Sequence, residues 1–276
     1  MKRIVIIGAG PGGICAGKRL KDEGFNDFVI LERASGVGGT WWNNTYPGCR
    51  CDVPTVLYSF SFALKPDWSE PYALQSEIQP YMAEVAERFG LMPHIKLNTR
   101  VNSAVWNDDS QTWKVRTDSG DEYTADILIG ALGLFNEPAY PNIAGLSAFK
   151  GEMMHSARWD HGIKLEGKRV GVIGSAASAV QFAPEIAKVV QHLTIYQRTP
   201  NFVNPRQNAF EEDFLSALKQ NPEATMLKER ATLSGWLDAV CTYDDEAVLS
   251  GFKQNALDNI ALVKDPAVRA KLTPDY

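Results

Sequence analysis

The sequence predicts an α/β chain of two Rossmann-like domains in tandem, the second interrupted by a helical insertion. Two apolar runs, Arg3 to Ile7 and Lys168 to Ile173, each lead into a turn of glycine and other small residues and then a helical stretch. Short continuous apolar runs of this kind mark strands buried on both faces of a parallel sheet. The third observation is the segment between them, Phe149 to Asp160. Its Phe, Gly, His, Trp and Asp sit at fixed offsets, unlike the Ser-, Gly- and Pro-rich composition of an ordinary linker.

Composition narrows the class. At 276 residues the chain has room for one large or two medium domains. Hydrophobic residues at 45% against 22% charged give enough apolar surface for a normal core. A net charge of −5 supplies no basic face, which argues against nucleic acid or an anionic membrane as partner. No apolar run approaches the roughly 20 residues a bilayer span needs. Met-Lys-Arg passes directly into the first strand, so no signal peptide is expected. Cys15, Cys49, Cys51 and Cys241 are too few and too irregular for a disulfide framework, and none forms C-x-x-C. A reduced, cytoplasmic protein is the expectation. His94, His161 and His192 show no metal-ligand spacing, and no metal is expected.

The first strand feeds Gly8-Ala9-Gly10-Pro11-Gly12-Gly13, a G-x-G-x-x-G, followed by a helix to about Leu20. Gly8 permits the turn, Gly10 lets a pyrophosphate approach the backbone, and Gly13 lets helix pack on strand. The helix N-terminus then offers N–H groups and positive dipole to phosphate. Asp27 to Leu31 reads as the second strand, with Glu32 at its end, 19 residues after Gly13. A carboxylate there is placed for a ribose diol. Alone the glycine pattern is weak; with strands, helix and acid it is specific. Gly36-Val37-Gly38-Gly39-Thr40-Trp41 then opens a second glycine turn and an aromatic patch, where ordinary core packing is the commoner fate of a Trp.

Val53 to Phe62 alternates and carries aromatics, a candidate substrate or cofactor surface. Ile78, Met82, Val85 and Phe89 give helical spacing over Ser76 to Phe89. Ile95 to Asn98 and Val101 to Trp106 read as strands, and Trp113 to Thr117 with Glu122 to Ile129 as a meander. Ala131-Leu132-Gly133 follows the return to the sheet, with Gly133 expected to allow a close approach.

In the second turn, Gly174-Ser175-Ala176-Ala177-Ser178-Ala179, alanine stands where the strict pattern has glycine, at 176. Its methyl narrows the approach to a pyrophosphate, while Ala179 is within the tolerated Gly/Ala. A helix over Ala177 to Val190 and a strand over His192 to Gln197 follow, ending in Arg198-Thr199 rather than an acid. A guanidinium there suits a 2′-phosphate and favours NADP(H) over NAD(H); the alternative for Arg198 is a solvated surface charge. From Asn208 onward the chain is helix-prone, including Leu227 to Val240 and Ala247 to Val263, with no chemical motif.

Two motifs carry a family resemblance. The segment between the turns spells F-x-G-x-x-x-H-x-x-x-W-D, from Phe149 to Asp160, and resembles the fingerprint of flavin-dependent Baeyer–Villiger monooxygenases. The run from Gly38 to Asp52 is similar to a second fingerprint of that family, G-G-x-W-x-x-N-x-Y-P-G-x-x-x-D. The resemblance implies FAD at the first turn, lined by Gly39, Thr40, Trp41, Asp52, Val53 and Tyr58, with Val101 at the adenine end. It implies NADPH at the second, with Gln181 joining its turn and Arg50, Cys51 and Asp52 reaching from the loop. Asp52 and His155 are the candidate catalytic residues, Asp52 where the cofactors meet and His155 holding the linker and NADP during domain motion. The implied domains are residues 1–145 for FAD (its N-terminal part), a linker over 146–165, residues 166–207 for NADP (its N-terminal part), and the insertion over 208–276. The implied reaction uses NADPH and O₂ to turn a small-molecule ketone into an ester or lactone through a C4a-peroxyflavin.

The resemblance covers nearly all of residues 1–206, and Pro200-Asn201-Phe202 extends it. Family members are longer, and their active-site arginine lies beyond Tyr276; nothing places Arg206 in its stead. The expectation is a piece of a longer enzyme or a short form without catalysis. Two further readings stay open: an N- or S-oxygenating flavin monooxygenase, disfavoured by Trp159-Asp160, and a non-catalytic nucleotide-binding fragment. The oligomeric state is left open.

Overall fold

The computed structural model describes residues 2–135, 137–199 and 208–242, together with 254, 257–258 and 260–272. It divides into two compact units, one of residues 1–49 and 74–165 and one of residues 50–73 and 166–276.

The first unit is built on a four-stranded parallel sheet in the order β3-β2-β1-β7. Its strands are β1 (Ile4–Ile7), β2 (Phe28–Leu31), β3 (Ile95–Lys96) and β7 (Ile127–Gly130). Ile4 pairs with Phe28 on one side and Ile127 on the other, and the register runs on to Ile7 opposite Leu31 and Gly130. Both faces of the sheet are covered, which is why β1 and β2 read as unbroken apolar runs. On one face lies α1 (Pro11–Asp22), whose Gly17 comes close to Phe28 and Ile30. On the other, Val5 and Leu31 pack with Val115 and Ala125. Those last two belong to an antiparallel meander of β4 (Val101–Asn107), β5 (Thr112–Thr117) and β6 (Glu122–Ala125). Within Glu122 to Ile129 the chain crosses from meander to sheet at Asp126, whose carboxylate accepts from the Arg3 N–H at 2.7 Å. Helix α3 (Gln75–Arg88) buries Ile78, Met82 and Val85, as its spacing predicts.

The second unit holds a parallel pair, β8 (Arg169–Ile173) and β9 (His192–Tyr196), joined through α4 (Ala177–Ala187). Helix α4 stops short of the expected Val190, and the Val189 and Val190 N–H groups bond to the Ile186 carbonyl in a closing turn. Further on come α5 (Glu212–Gln220) and α6 (Pro222–Thr242). They are divided at Asn221, whose side chain accepts from the Ala224 N–H at 3.2 Å with Pro222 in the first turn. A last helix spans Pro266–Leu272. Most of the helix expected over 247–263 lies outside the described residues, as do Pro200-Asn201-Phe202 and Arg206.

Val53 to Phe62 forms no strand despite its alternation. Pro54 offers no N–H, turns bond Leu57 to Pro54 and Tyr58 to Thr55, and an isolated bridge links Phe60 to Ala63. Among the described residues no helix is long and apolar enough to cross a membrane, and no group of three His, Cys, Asp or Glu could hold a metal ion.

Candidate functional site: two matched turns

In the first unit the glycine turn is a tightly nested piece of backbone. Gly8 has φ +103°, and a Cβ there would lie 2.4 Å from the Ala131 carbonyl oxygen. A Cβ on Gly13 would lie 1.8 Å from the Gly8 oxygen, so this glycine is what lets α1 start against the strand. The Ala131 carbonyl makes the close approach to Gly8, while Gly133 has open space around it and a φ of +71°. Gly10 is the N-cap of α1 and no side chain caps the helix, so the first-turn N–H groups are left for a ligand.

Glu32 is buried and binds the turn. Its Oε2 accepts from the Ala9 N–H at 2.7 Å and its Oε1 from the Ala34 N–H at 2.8 Å. The acid read as a ribose partner therefore also fixes the loop it serves. Each carboxylate oxygen keeps a further lone pair for a hydroxyl.

The second glycine loop presses on the first. Gly38 donates to the Ala9 carbonyl at 3.0 Å. Gly39 has φ +57° and ψ −115°, a conformation open to glycine alone, and its Cβ would meet Gly10 Cα at 2.9 Å. The four-residue helix α2 (Thr40–Asn43) follows, with Thr40 exposed and Trp41 buried. From α3, Gln75 Nε2 donates to the Trp41 carbonyl at 2.5 Å and Gln79 Nε2 to that of Val37 at 3.3 Å. Both glutamines escaped the sequence reading, where they look like solvent-facing positions of an amphipathic helix. Val101 opens β4 opposite Thr117, beside an irregularity in the ladder. Burial pushes the Cys49 thiol up, against a smaller opposing pull from the Tyr46 hydrogen bond. A buried, protonated thiol is a poor nucleophile, which speaks against dithiol exchange here.

The second unit repeats the backbone angles of the first turn at two positions. Gly174 has the φ of Gly8, +103°. Ala176 at φ −77°, ψ −174° takes the place of Gly10 at −77°, −172°, so its methyl costs no backbone strain. Helix α4 likewise lacks a side-chain cap. Gly174, Ala176 and Ala177 are exposed, and Ser175 and Ser178 half-buried. The Gly174 N–H bonds to the Tyr196 carbonyl at 2.9 Å, as Gly8 bonds to Leu31 at 2.8 Å. That equivalence makes Gln197 the counterpart of Glu32, a residue the sequence reading passed over: a neutral amide replaces the carboxylate, and exposed Arg198 and Thr199 come next.

Arg50 and Gln181 are brought together. The Arg50 N–H donates to Gln181 Oε1 at 3.2 Å, and Gln181 Nε2 donates to the Arg50 carbonyl at 3.1 Å. The Arg50 guanidinium reaches Glu70 at 2.9 Å. Cys51 is buried, its N–H bonded to the Ala73 carbonyl at 2.9 Å, while Asp52 is exposed and Val53 and Tyr58 are half-buried.

The fingerprint segment lies in the first unit. The Phe149 ring covers Gly151, where a Cβ would sit 2.6 Å from it, which accounts for the aromatic–glycine pair. His155 caps a 3₁₀ turn (Ser156–Arg158): its Nδ1 accepts from the Ala157 N–H at 3.1 Å, and Tyr140 packs edge-on to the ring at 5.4 Å. Asp160 Oδ1 accepts from the Gly162 N–H at 2.8 Å, and His161 bonds Thr45 Oγ1 at 3.0 Å.

Known proteins agree with this arrangement. The model of the pyridine nucleotide-disulphide oxidoreductase family (Pyr_redox_3) matches residues 5–226. A Baeyer–Villiger monooxygenase of Streptomyces coelicolor is 44% identical over 279 residues, covering 99% of this chain and 53% of the relative. One from Pseudomonas aeruginosa is 38% identical over 277 residues, with 99% and 53% covered. An oxidized steroid monooxygenase bound to NADP superposes with a TM-score of 0.79 at 33% identity, covering 99% of this chain and 60% of its own. The NADP⁺-bound cyclohexanone monooxygenase of Rhodococcus sp. Phi1 gives 0.78 at 31%, covering 100% and 60%. The chain spans about half the length of the curated relatives it matches. With two glycine turns on parallel strands and this agreement over most of its length, the chain belongs to the pyridine nucleotide-disulphide oxidoreductase family, among relatives that are Baeyer–Villiger monooxygenases.

Proposed function

We propose that the chain binds FAD at the first turn and NADPH at the second, and forms the cofactor-binding part of a Baeyer–Villiger monooxygenase. The observation that carries this is the pair of turns with matching backbone, flanking the F-x-G-x-x-x-H-x-x-x-W-D segment. On this reading residues 1–145 and 166–207 are the N-terminal parts of the FAD and NADP domains, 146–165 the linker and 208–276 a helical insertion. A ketone, O₂, NADPH and a proton give an ester or lactone, NADP⁺ and water.

The residues fit the cofactors. Gly8, Gly10 and Gly13 leave an uncapped helix start without side chains in the way, which suits the FAD pyrophosphate. Glu32, already bonded to Ala9 and Ala34, takes the ribose hydroxyls. Gly39, Thr40, Trp41, Val53, Tyr58 and Val101 line the rest of FAD. Gly174 to Ser178 bind the NADPH pyrophosphate, and Gln181 sets Arg50 beside it. Arg198 and Thr199 receive the 2′-phosphate, a site from which a carboxylate at Gln197 would repel it. Cys51 and Asp52 approach the nicotinamide side, Asp52 adding negative charge, and His155 holds the linker by capping its turn. Bound flavin supplies the hydride acceptance and O₂ activation; the protein's share is orientation and electrostatics.

A visible spectrum of the purified chain, taken anaerobically, then with NADPH, then with air, tests this. A flavin spectrum that bleaches with NADPH and returns with O₂ is the expected result. A colourless protein after incubation with FAD would sink the assignment of the first turn, and a flavin untouched by NADPH that of the second.

A further inference from the structure

Arg50 is held at three points inside the second unit. Its peptide N–H and C=O are both taken by the Gln181 side-chain amide, which fixes its backbone one turn along the helix that follows the second glycine turn. Its guanidinium donates to Glu70 Oε2 at 2.9 Å. That same oxygen accepts from Asn208 Nδ2, and Asn208 Oδ1 in turn accepts from the Tyr72 N–H at 3.2 Å. Two loops and the approach to α5 thus meet on one carboxylate. Arg50 and Glu70 are both about one-third exposed, so the pair is neither sealed in a core nor loose on the surface. An exposed ion pair gains little by itself, because two long side chains must be frozen in water. Here one side chain of the pair is already fixed: Asn208 immobilises Glu70, and it does so from a residue far along the chain. Such an arrangement does more to fix a guanidinium's position than to stabilise the fold.

We propose that Glu70, braced by Asn208, is a positioning residue that presents Arg50 to NADPH. This rests on the reading that Arg50 faces the nucleotide. The carboxylate restricts a flexible side chain to one rotamer before the ligand arrives, which lowers the ordering cost of binding. It acts through Arg50 and need not touch the cofactor.

The test is NADP⁺ affinity by calorimetry on FAD-loaded protein, for Arg50→Ala, Glu70→Ala, Glu70→Gln, Asn208→Ala and the Arg50→Ala/Glu70→Ala double variant. Loss of a charge-assisted phosphate contact weakens binding roughly 10- to 100-fold, the expected size for Arg50→Ala. Glu70→Ala is expected to weaken it about 5- to 10-fold by loss of pre-organisation. Glu70→Gln, whose amide oxygen still accepts, recovers much of that, and Asn208→Ala gives a smaller loss than Glu70→Ala. In the Arg50→Ala background Glu70→Ala should change affinity less than about two-fold, the signature of action through Arg50. FAD content and melting temperature serve as the folding check, with Glu70→Gln the variant least able to disturb the fold. An equal loss from Glu70→Ala with and without Arg50, or tighter binding in Glu70→Ala, overturns the proposal while leaving Arg50 at the nucleotide. Unchanged affinity in Arg50→Ala removes Arg50 from the nucleotide and the proposal with it.

Discussion

Gly13→Ala offers a sharp test of the first turn, because its neighbour Gly12 provides an internal control one residue away. A methyl at 13 would lie 1.8 Å from the Gly8 carbonyl oxygen and 3.0 Å from its carbon. Non-bonded contacts are optimal near 3.5–4.0 Å, so α1 must draw back from the turn by more than about 1 Å. The opposing atom is backbone, anchored by the Gly8 N–H bond to Leu31 at 2.8 Å, and cannot step aside as a side chain would. Overpacking of this sort costs about 1–3 kcal/mol, at the upper end where neither side yields. Alanine in a helix returns at most about 1 kcal/mol over glycine. The clash wins, by roughly 1–2 kcal/mol, which lowers the melting temperature by about 2–8 °C for a unit of this size. At Gly12 the same methyl would meet only Ala131 Cβ at 3.6 Å, an ordinary contact. Gly12→Ala should therefore melt at or slightly above the parent. Thermal unfolding by circular dichroism, with FAD retention measured alongside, reads both. A Gly13→Ala protein as stable as the parent, or a Gly12→Ala protein equally damaged, would refute the packing argument.

Removing the Glu32 carboxylate as Glu32→Ala strands two N–H groups, of Ala9 and Ala34, at about 1–3 kcal/mol each; melting and FAD content should fall together, and a stable variant with full FAD would contradict the dual role. Arg198→Ala is expected to lose about 1.5–3 kcal/mol of NADPH binding while sparing NADH, so the ratio of the two dissociation constants is the readout, and an unchanged ratio would return Arg198 to the solvated surface. Acid should weaken the first unit through Asp126, whose pKa is lowered by the Arg3 backbone N–H and then its side chain, and through Glu122, lowered by Lys114 and Arg116. A depressed carboxylate pKa stabilises the fold above the ordinary carboxylate range and loses that contribution as pH falls through the folded value; Asp126→Asn should flatten the melting-temperature profile below about pH 4, and a profile unchanged there would exclude Asp126 as its source.

The parts of the fold legible in the sequence are those set by local chemistry. The runs at Ile4 and Val170 became parallel strands, and the 3.6-residue spacing of Ile78, Met82 and Val85 became α3. The Gly8 and Gly174 turns were legible because only glycine takes their φ of +103°. Context was what pattern alone left open. The alternation of Val53 to Phe62 left its backbone open: it folds as turns, with the Thr55 N–H bonded to the Pro71 carbonyl. Which residue faces Gly8 was likewise open, since only the assembled sheet brings the Ala131 carbonyl there.

By itself the sequence determined the two turn–helix segments, the basic residue after the second strand pair and the fingerprint between the two turns, since each depends on residue types a few positions apart. The tertiary structure alone decided that Ala176 adopts the backbone of Gly10, that Gln197 matches Glu32, and that Arg50 and Asn208 converge on Glu70 across 20 and 138 residues of chain. The reason is physical: a φ preference or an apolar period is written in neighbouring residues, whereas a hydrogen bond between distant side chains exists only once packing has closed the loop between them.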